Sequence, residues 1–295
     1  MAWLCFNMNM SGQIETLSGT LQRARQAQRI SQLELSLRLQ VSQRHVSFVE
    51  SGRAKPSRDL LLAWLQTLNA PLALQNAAML QGGFAPVYSQ ANLDDPVLAQ
   101  ANLALSALLS AHDPMPAYVL DAHWNLINTN KGGHWLANTL LPWLEKQSPA
   151  RESQTHTSGT PLNMLDLINH PEGFANHWSN IDEVGPALLA HLRDEASVQP
   201  SLKRRVEAFA SLLAQRLPKT NVATIWPRQA APLLTTRFNT PHGELSFFST
   251  FTTFGTPQDI TLASLRVEHL FAADEATKLV LDREVVDAIN TIEKI

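Results

Sequence analysis

Apolar positions recur at helical spacing through the first third of the chain. Leu17, Leu21 and Ala24 predict an inward stripe on a helix over about residues 18–28. Leu33, Leu35, Leu37 and Leu39 are apolar, with Leu33 and Leu37 on one face of a second helix. Ser42 is an N-cap residue ahead of a third run, in which Val46 and Val49 share an inner face. Gln43, Arg44, Ser47 and Phe48 are left on the outer one. Gly52 can take the backbone out of that helix, and Pro56 prevents immediate re-entry. Leu60, Leu61, Trp64, Leu65 and Leu68 mark a fourth helix, broken at Asn69-Ala70-Pro71. A fifth runs over 72–80 and ends at Gly82-Gly83. An all-helical, five-helix unit is predicted over 17–84.

Beyond it the periodicity changes. Residues 85–95 are polar and extended and are predicted to be a linker. Pro96 opens a helix to about 110. Tyr118-Val119-Leu120 predicts a strand, Asp121-Ala122-His123 a tight turn, and Trp124 to Thr129 an alternating second strand. Asn130 then starts a helix through Trp135 and Leu136. Residues 147–161 form a polar Ser/Thr-rich loop, and 184–217 are mostly helical. Strands over 233–238 and 244–254 are joined by a hairpin turn at Asn239–Gly243. A last helix runs from about Glu275 and can extend to Asp287. The fold class is therefore multidomain, an all-α five-helix unit followed by an α+β domain over 96–282, with 283–295 as a C-terminal tail.

Composition narrows the function. The chain has 295 residues, 44% hydrophobic and 17% charged, so it should be globular. No apolar run approaches the roughly 20 residues that span a bilayer. Met1–Met10 lacks the basic start and long apolar core of a signal peptide. Cys5 is the single cysteine, which excludes an internal disulfide and a cysteine-based metal site and argues against thiol sensing. A cytoplasmic protein without metal or cofactor is expected. No G-x-S-x-G, P-loop or G-x-G-x-x-G occurs, and neither His123 beside Asp121 nor His242 has a catalytic frame, so no enzyme is expected. The net charge of −3 hides a split. Residues 1–81 carry eight Lys/Arg against four acids, leaving −7 on the remainder. A basic end suits phosphate, and an acidic body stays off it.

An exposed helix beginning Ser42-Gln43-Arg44 carries side chains that bond bidentately to adenine and guanine edges in a major groove. With Ser31-Gln32, Glu34-Leu35-Ser36, Val41-Ser42, Val46-Ser47, Val49-Glu50, Gly52 and Pro56, the stretch resembles the Cro/repressor-type (XRE family) helix-turn-helix. The resemblance implies double-stranded DNA as partner. Base contacts are implied for Gln43, Arg44, Ser47 and Phe48, although Phe48 departs from the polar residue of some relatives and can instead pack. Phosphate contacts are implied for Gln32, Ser42, His45, Arg53, Lys55 and Arg58, and an Arg25–Glu50 pair for tying the first helix to the third.

The run Pro116-Ala-Tyr118-Val-Leu120-Asp-Ala-His-Trp124-Asn-Leu126-Ile-Asn-Thr-Asn130 opens as PAS-like sensory domains do and resembles the ligand-binding domain of MmyB-type regulators. Asn163 to Gly173, Leu245 to Pro257 and Asp259 to Asp274 match in order. This resemblance implies a cavity for a small lipophilic, fatty-acid-like ligand, with Tyr118, Leu120, Trp124, Leu126, Asn130, Phe247 and Phe251 as candidate lining. A homodimeric, ligand-responsive transcription regulator is the expectation. The alternative is a constitutive DNA-binding repressor whose second domain serves only dimerisation or partner binding.

Overall fold

A computed structural model describes residues 16–91, 93, 95–146, 161–217, 234–255 and 257–292. Cys5, the start over Met1–Met10 and the polar loop over 147–160 lie outside the described residues. The chain forms two compact units. One takes in residues 1–92 and 256–263, and the other 93–255 and 264–295.

The first unit contains α1 (Leu17–Ala27), α2 (Gln32–Arg38), α3 (Gln43–Glu50), α4 (Arg58–Thr67) and α5 (Leu72–Gln81). Thr16, Ser31, Ser42 and Ser57 each cap the next helix, the side-chain oxygen accepting a backbone N–H of its first turn. Leu21, Leu35, Val46, Val49, Leu61, Trp64, Leu65 and Met79 form the core. On α2 the inward residue is Leu35, whereas Leu33 and Leu37 are 53% and 71% exposed. Leu35 lies two positions, or about 200°, from each, so one helix face cannot bury all three. Gly52 leaves α3 with φ +73°, a left-handed conformation open to glycine.

Residues 85–91 are bonded within the first unit. The Asn76 side chain accepts from Val87 N and Tyr88 N and donates to Tyr88 O. Ser89 Oγ and Ala91 N both donate to Asp259 Oδ2. Burial alone would raise the Asp259 carboxyl, but bonds from Ser89, Ala91, Thr261 and Leu262 hold it below the ordinary range.

The second unit begins with α6 (Ala99–His112), β1 (Ala117–Leu120), β2 (Leu126–Thr129), α7 (Lys131–Leu140), α8 (Pro142–Lys146) and α9 (Met164–Asn169). Then come α10 (Ile181–Val198), α11 (Lys203–Arg216), β3 (Thr235–Thr240) and β4 (Gly243–Thr253). After the short α12 (Ile260–Ser264), which falls in the first unit but for Ser264, β5 (Arg266–Ala272) and α13 (Glu275–Ile292) complete the second. The sheet is antiparallel throughout, in the order β2-β1-β5-β4-β3. Two predicted boundaries move. Trp124 is not in β2 but in the turn before it, at φ +64°. Residues 283–292 continue α13 past Asp287, and Leu281 and Val285, one turn apart, are both buried along it.

Asn130 caps α7 and spends its whole amide on backbone. Oδ1 accepts from Ala117 N and Gly133 N, and Nδ2 donates to Leu109 O and Met115 O. The adjacent glycines let α7 touch that backbone. A Cβ on Gly132 would lie 2.2 Å from Pro114 O. Gly132→Ala is therefore expected to destabilise this unit by about 1–3 kcal/mol, read as a lowered denaturation midpoint. An unchanged midpoint would show that α7 can slide away at no cost.

Candidate functional site

In the first unit the candidate surface is built on α3. Its first turn presents Gln43 and Arg44 to solvent, with Ser47 and Phe48 half-buried one turn on. Gln43 makes no side-chain hydrogen bond among the described residues. The Arg44 guanidinium lies 5.1 Å from the Phe48 ring centroid, and that of Arg53 lies 6.0 Å from it. Both cations thus lie over the Phe48 ring, each such contact worth about 0.5–1 kcal/mol at an exposed site. Ser42 is occupied as the cap of α3 and keeps its hydroxyl proton to donate. His45 is half-exposed, and Arg53, Lys55 and Arg58 are exposed around the end of α3 and the start of α4. Arg58 has only a loose 3.8 Å approach to Asp59.

Behind this surface, Arg25 Nε and Nη2 donate to the two Glu50 carboxylate oxygens at 2.7 and 2.8 Å, and Arg25 Nη1 donates to Ile30 O at 2.7 Å. Gln32 joins this pair: its side-chain amide donates to Glu50 Oε2 at 2.8 Å. A carboxylate has room for more acceptor contacts than one guanidinium fills, and Gln32, first residue of α2, supplies the next donor. The three helices α1, α2 and α3 are locked on one buried carboxylate.

In the second unit a cavity of about 360 Å³ lies between the sheet and the helices α7, α9 and α10. Residues paired directly across antiparallel strands share a sheet face. Tyr118 opposes Glu268, and Glu268 opposes Phe251. Ser249 opposes Leu270 in the next row. All five line the cavity, with Trp124, Trp178 and Phe238 adding aromatic wall and Met164, Ile168 and Leu188 aliphatic wall.

Of the expected lining, Tyr118, Trp124 and Phe251 are on the wall, Phe251 being 44% exposed. Leu120 and Phe247 are fully buried in the core, and Leu126 packs against that core. None of these three lines the cavity, and neither does Asn130, whose amide is consumed by the α7 cap.

The polar groups were not foreseen. Trp124 Nε1 donates to Glu195 Oε2 at 2.6 Å, and the Arg266 guanidinium lies 4.2 Å from the Trp124 ring centroid while also bonding Glu195. Burial pulls the Glu195 carboxyl up, but the Arg266 and Trp124 bonds and the charges of Arg266 and His191 hold it below the ordinary range. Glu268 is pushed the other way, up to about 7, because burial outweighs the Arg266 charge and the Ser249 hydrogen bond. Burial also raises the Tyr118 phenol, helped by Glu268.

Among the described residues there is no cluster of three or more His, Cys, Asp or Glu side chains fit to hold a metal, and no helix is long and apolar enough to cross a membrane. Residues 21–75 match the family model described as helix-turn-helix, and residues 101–283 match that of the MmyB-like transcription regulator ligand binding domain. No curated protein matches the chain.

Proposed function

The chain belongs to the MmyB-like transcription regulator ligand-binding-domain family and carries a helix-turn-helix ahead of that domain; from this we propose that it is a sequence-specific transcription regulator whose DNA affinity answers to a small lipophilic ligand. One observation carries the ligand half of this reading: a cavity of about 360 Å³ with aromatic and aliphatic walls and few polar groups. That volume is at the lower end of the roughly 300–1,000 Å³ typical of small-molecule sites. The walls suit an alkyl or acyl chain, as the fatty-acid-like expectation requires. The strand order β2-β1-β5-β4-β3 supports reading the sheet as PAS-like.

On the DNA side, Gln43, Arg44, Ser47 and Phe48 meet base edges. Ser42, His45, Arg53, Lys55 and Arg58 meet phosphates and set register. Gln32 is a support for Glu50 in this reading. The regulator works as a homodimer in the cytoplasm, where the DNA is, with half-sites about one helical turn apart. Segment 96–111 supports dimerisation, since it carries no Asp, Glu, Lys or Arg and leaves Val97 and Leu103 each 72% exposed.

A ligand shifts DNA affinity only by its unequal affinity for the two states. The purified protein is therefore expected to yield a bound lipophile on solvent extraction and mass spectrometry, and its removal is expected to change the electrophoretic shift of operator DNA. An extractable lipophile whose removal leaves DNA affinity unchanged would favour a constitutive binder.

A further inference from the structure

A carboxyl sits in the aromatic wall of this cavity, and no cation among the described residues is bonded to it. Glu268 occupies the middle of β5 and opens onto the cavity, with Tyr118 directly opposite on β1 and Phe251 directly opposite on β4. Directly opposed side chains have Cβ atoms about 5 Å apart, so both rings flank the carboxyl. Among the described residues, its one side-chain hydrogen bond comes from Ser249.

The cations nearby stand off the wall or are paired. Arg266, two residues along β5, gives Nη1 and Nη2 to Glu195 on α10 and rests on the Trp124 and Phe251 rings; its buried Nε has no partner among the described residues, and Arg266 is not among the lining residues. Among the described lining residues the one basic group is His191, which pairs with Glu195 at 3.0 Å and has a side chain 52% exposed. A ligand carboxylate entering here would meet Glu268 on a wall whose described lining has no Lys or Arg. An ammonium would find a carboxylate and the faces of aromatic rings, the two features that hold an alkylammonium together.

We infer that the ligand is a lipophilic amine, its ammonium seated on Glu268 between Tyr118 and Phe251 and its apolar body along Trp178, Phe238 and Leu188. This rests on the proposed lipophilic-ligand reading and narrows it to one head group, away from a fatty acid. Because the Glu268 carboxyl is pushed up to about 7, it gains its charge as pH rises through neutrality. An amine then binds tighter, by about tenfold between about pH 6 and about pH 8. A fatty acid would show the reverse dependence, since ionised Glu268 repels it. The other groups facing Glu268 are Tyr118 on β1, Arg266 on β5, and His191 and Glu195 on α10. Of these, Arg266 opposes an ammonium equally at every pH in this range, and His191 does so when protonated.

The test titrates the full chain calorimetrically with n-octylamine, n-octanol and octanoate across that pH range. The expected result is a preference for octylamine that grows with pH, persists in His191→Gln and disappears in Glu268→Gln, with octanol binding retained. Octanoate binding as tightly as octylamine would overturn the amine assignment while leaving the lipophilic-ligand reading standing. Failure of all three probes to bind would instead overturn that reading and the inference with it. Should Glu268→Gln not fold, the pH series in His191→Gln decides alone, and a flat or falling octylamine affinity overturns the proposal.

Discussion

Glu50→Ala is expected to open the first unit, with the hydrogen-exchange protection of α1 and α3 falling about a hundredfold to a few thousandfold. The Arg25 and Glu50 side chains are only 11% and 2% exposed, so neither can turn to water for a substitute partner. Hydrogen bonding to Glu50 is the main reason the Arg25 guanidinium is held even more firmly protonated than usual. Removing the carboxylate strands that guanidinium, together with the Gln32 amide, in a largely dry setting. Breaking a buried pair from one side costs about 3–5 kcal/mol, a large share of the roughly 5–15 kcal/mol that a domain has in total. The pair itself adds much less than its removal costs, because both ions were desolvated to make it. The double variant Arg25→Met/Glu50→Leu should accordingly recover most of the lost protection. DNA binding should fall with Glu50→Ala although the residue touches no DNA, since α3 is aimed through this contact. Protection unchanged within about 0.5 kcal/mol, the ordinary range of surface substitutions, would refute the assignment.

The parts of this molecule legible in its sequence are those governed by local rules. Ser31, Ser42 and Ser57 cap helices where a serine precedes an apolar period, and the hairpin into Gly243 closes where the turn residues are. The Arg25–Glu50 bond was legible through family resemblance alone, because nothing local joins residues 25 apart. What escaped depends on which side of an element is covered. On α2 the leucine pattern fits more than one burial stripe, and the packing against α3 selects Leu35. On β5 the alternation Arg266-Val267-Glu268-His269-Leu270 has its acid and arginine in one register, which reads as a solvent face. That face instead lies under helices and lines the cavity, so the residues most informative about the ligand resembled surface charges. Nor can periodicity distinguish an apolar side chain that walls a cavity from one that fills a core, so Leu120 and Phe247 read like Tyr118 and Trp124.

Arg44→Ala should remove discrimination at one operator position, and Lys55→Ala should weaken every DNA alike. Both residues are exposed cations on the same basic unit, so net charge predicts equal effects. Geometry separates them. Arg44 is in the first turn of α3, and its guanidinium rests on Phe48, which limits its rotamers before DNA arrives. A bidentate contact from such a group to a guanine edge discriminates by about 1–3 kcal/mol, or about fivefold to 150-fold. Lys55 lies in the loop after α3 as a point charge without a partner among the described residues, suited to a phosphate. Its loss releases about one fewer counterion, lowering the slope of log affinity against log salt by about one while the ratio between operator and competitor DNA stays fixed. Arg44→Lys should not rescue specificity, because an ammonium cannot bond a base edge through a planar fork or stack on Phe48 as a guanidinium does. Salt titrations of the three variants on operator and scrambled DNA separate these outcomes. Equal specificity ratios and equal slopes for Arg44→Ala and Lys55→Ala would mean that α3 does not read bases through Arg44, and that Phe48 holds the arginine for a phosphate instead.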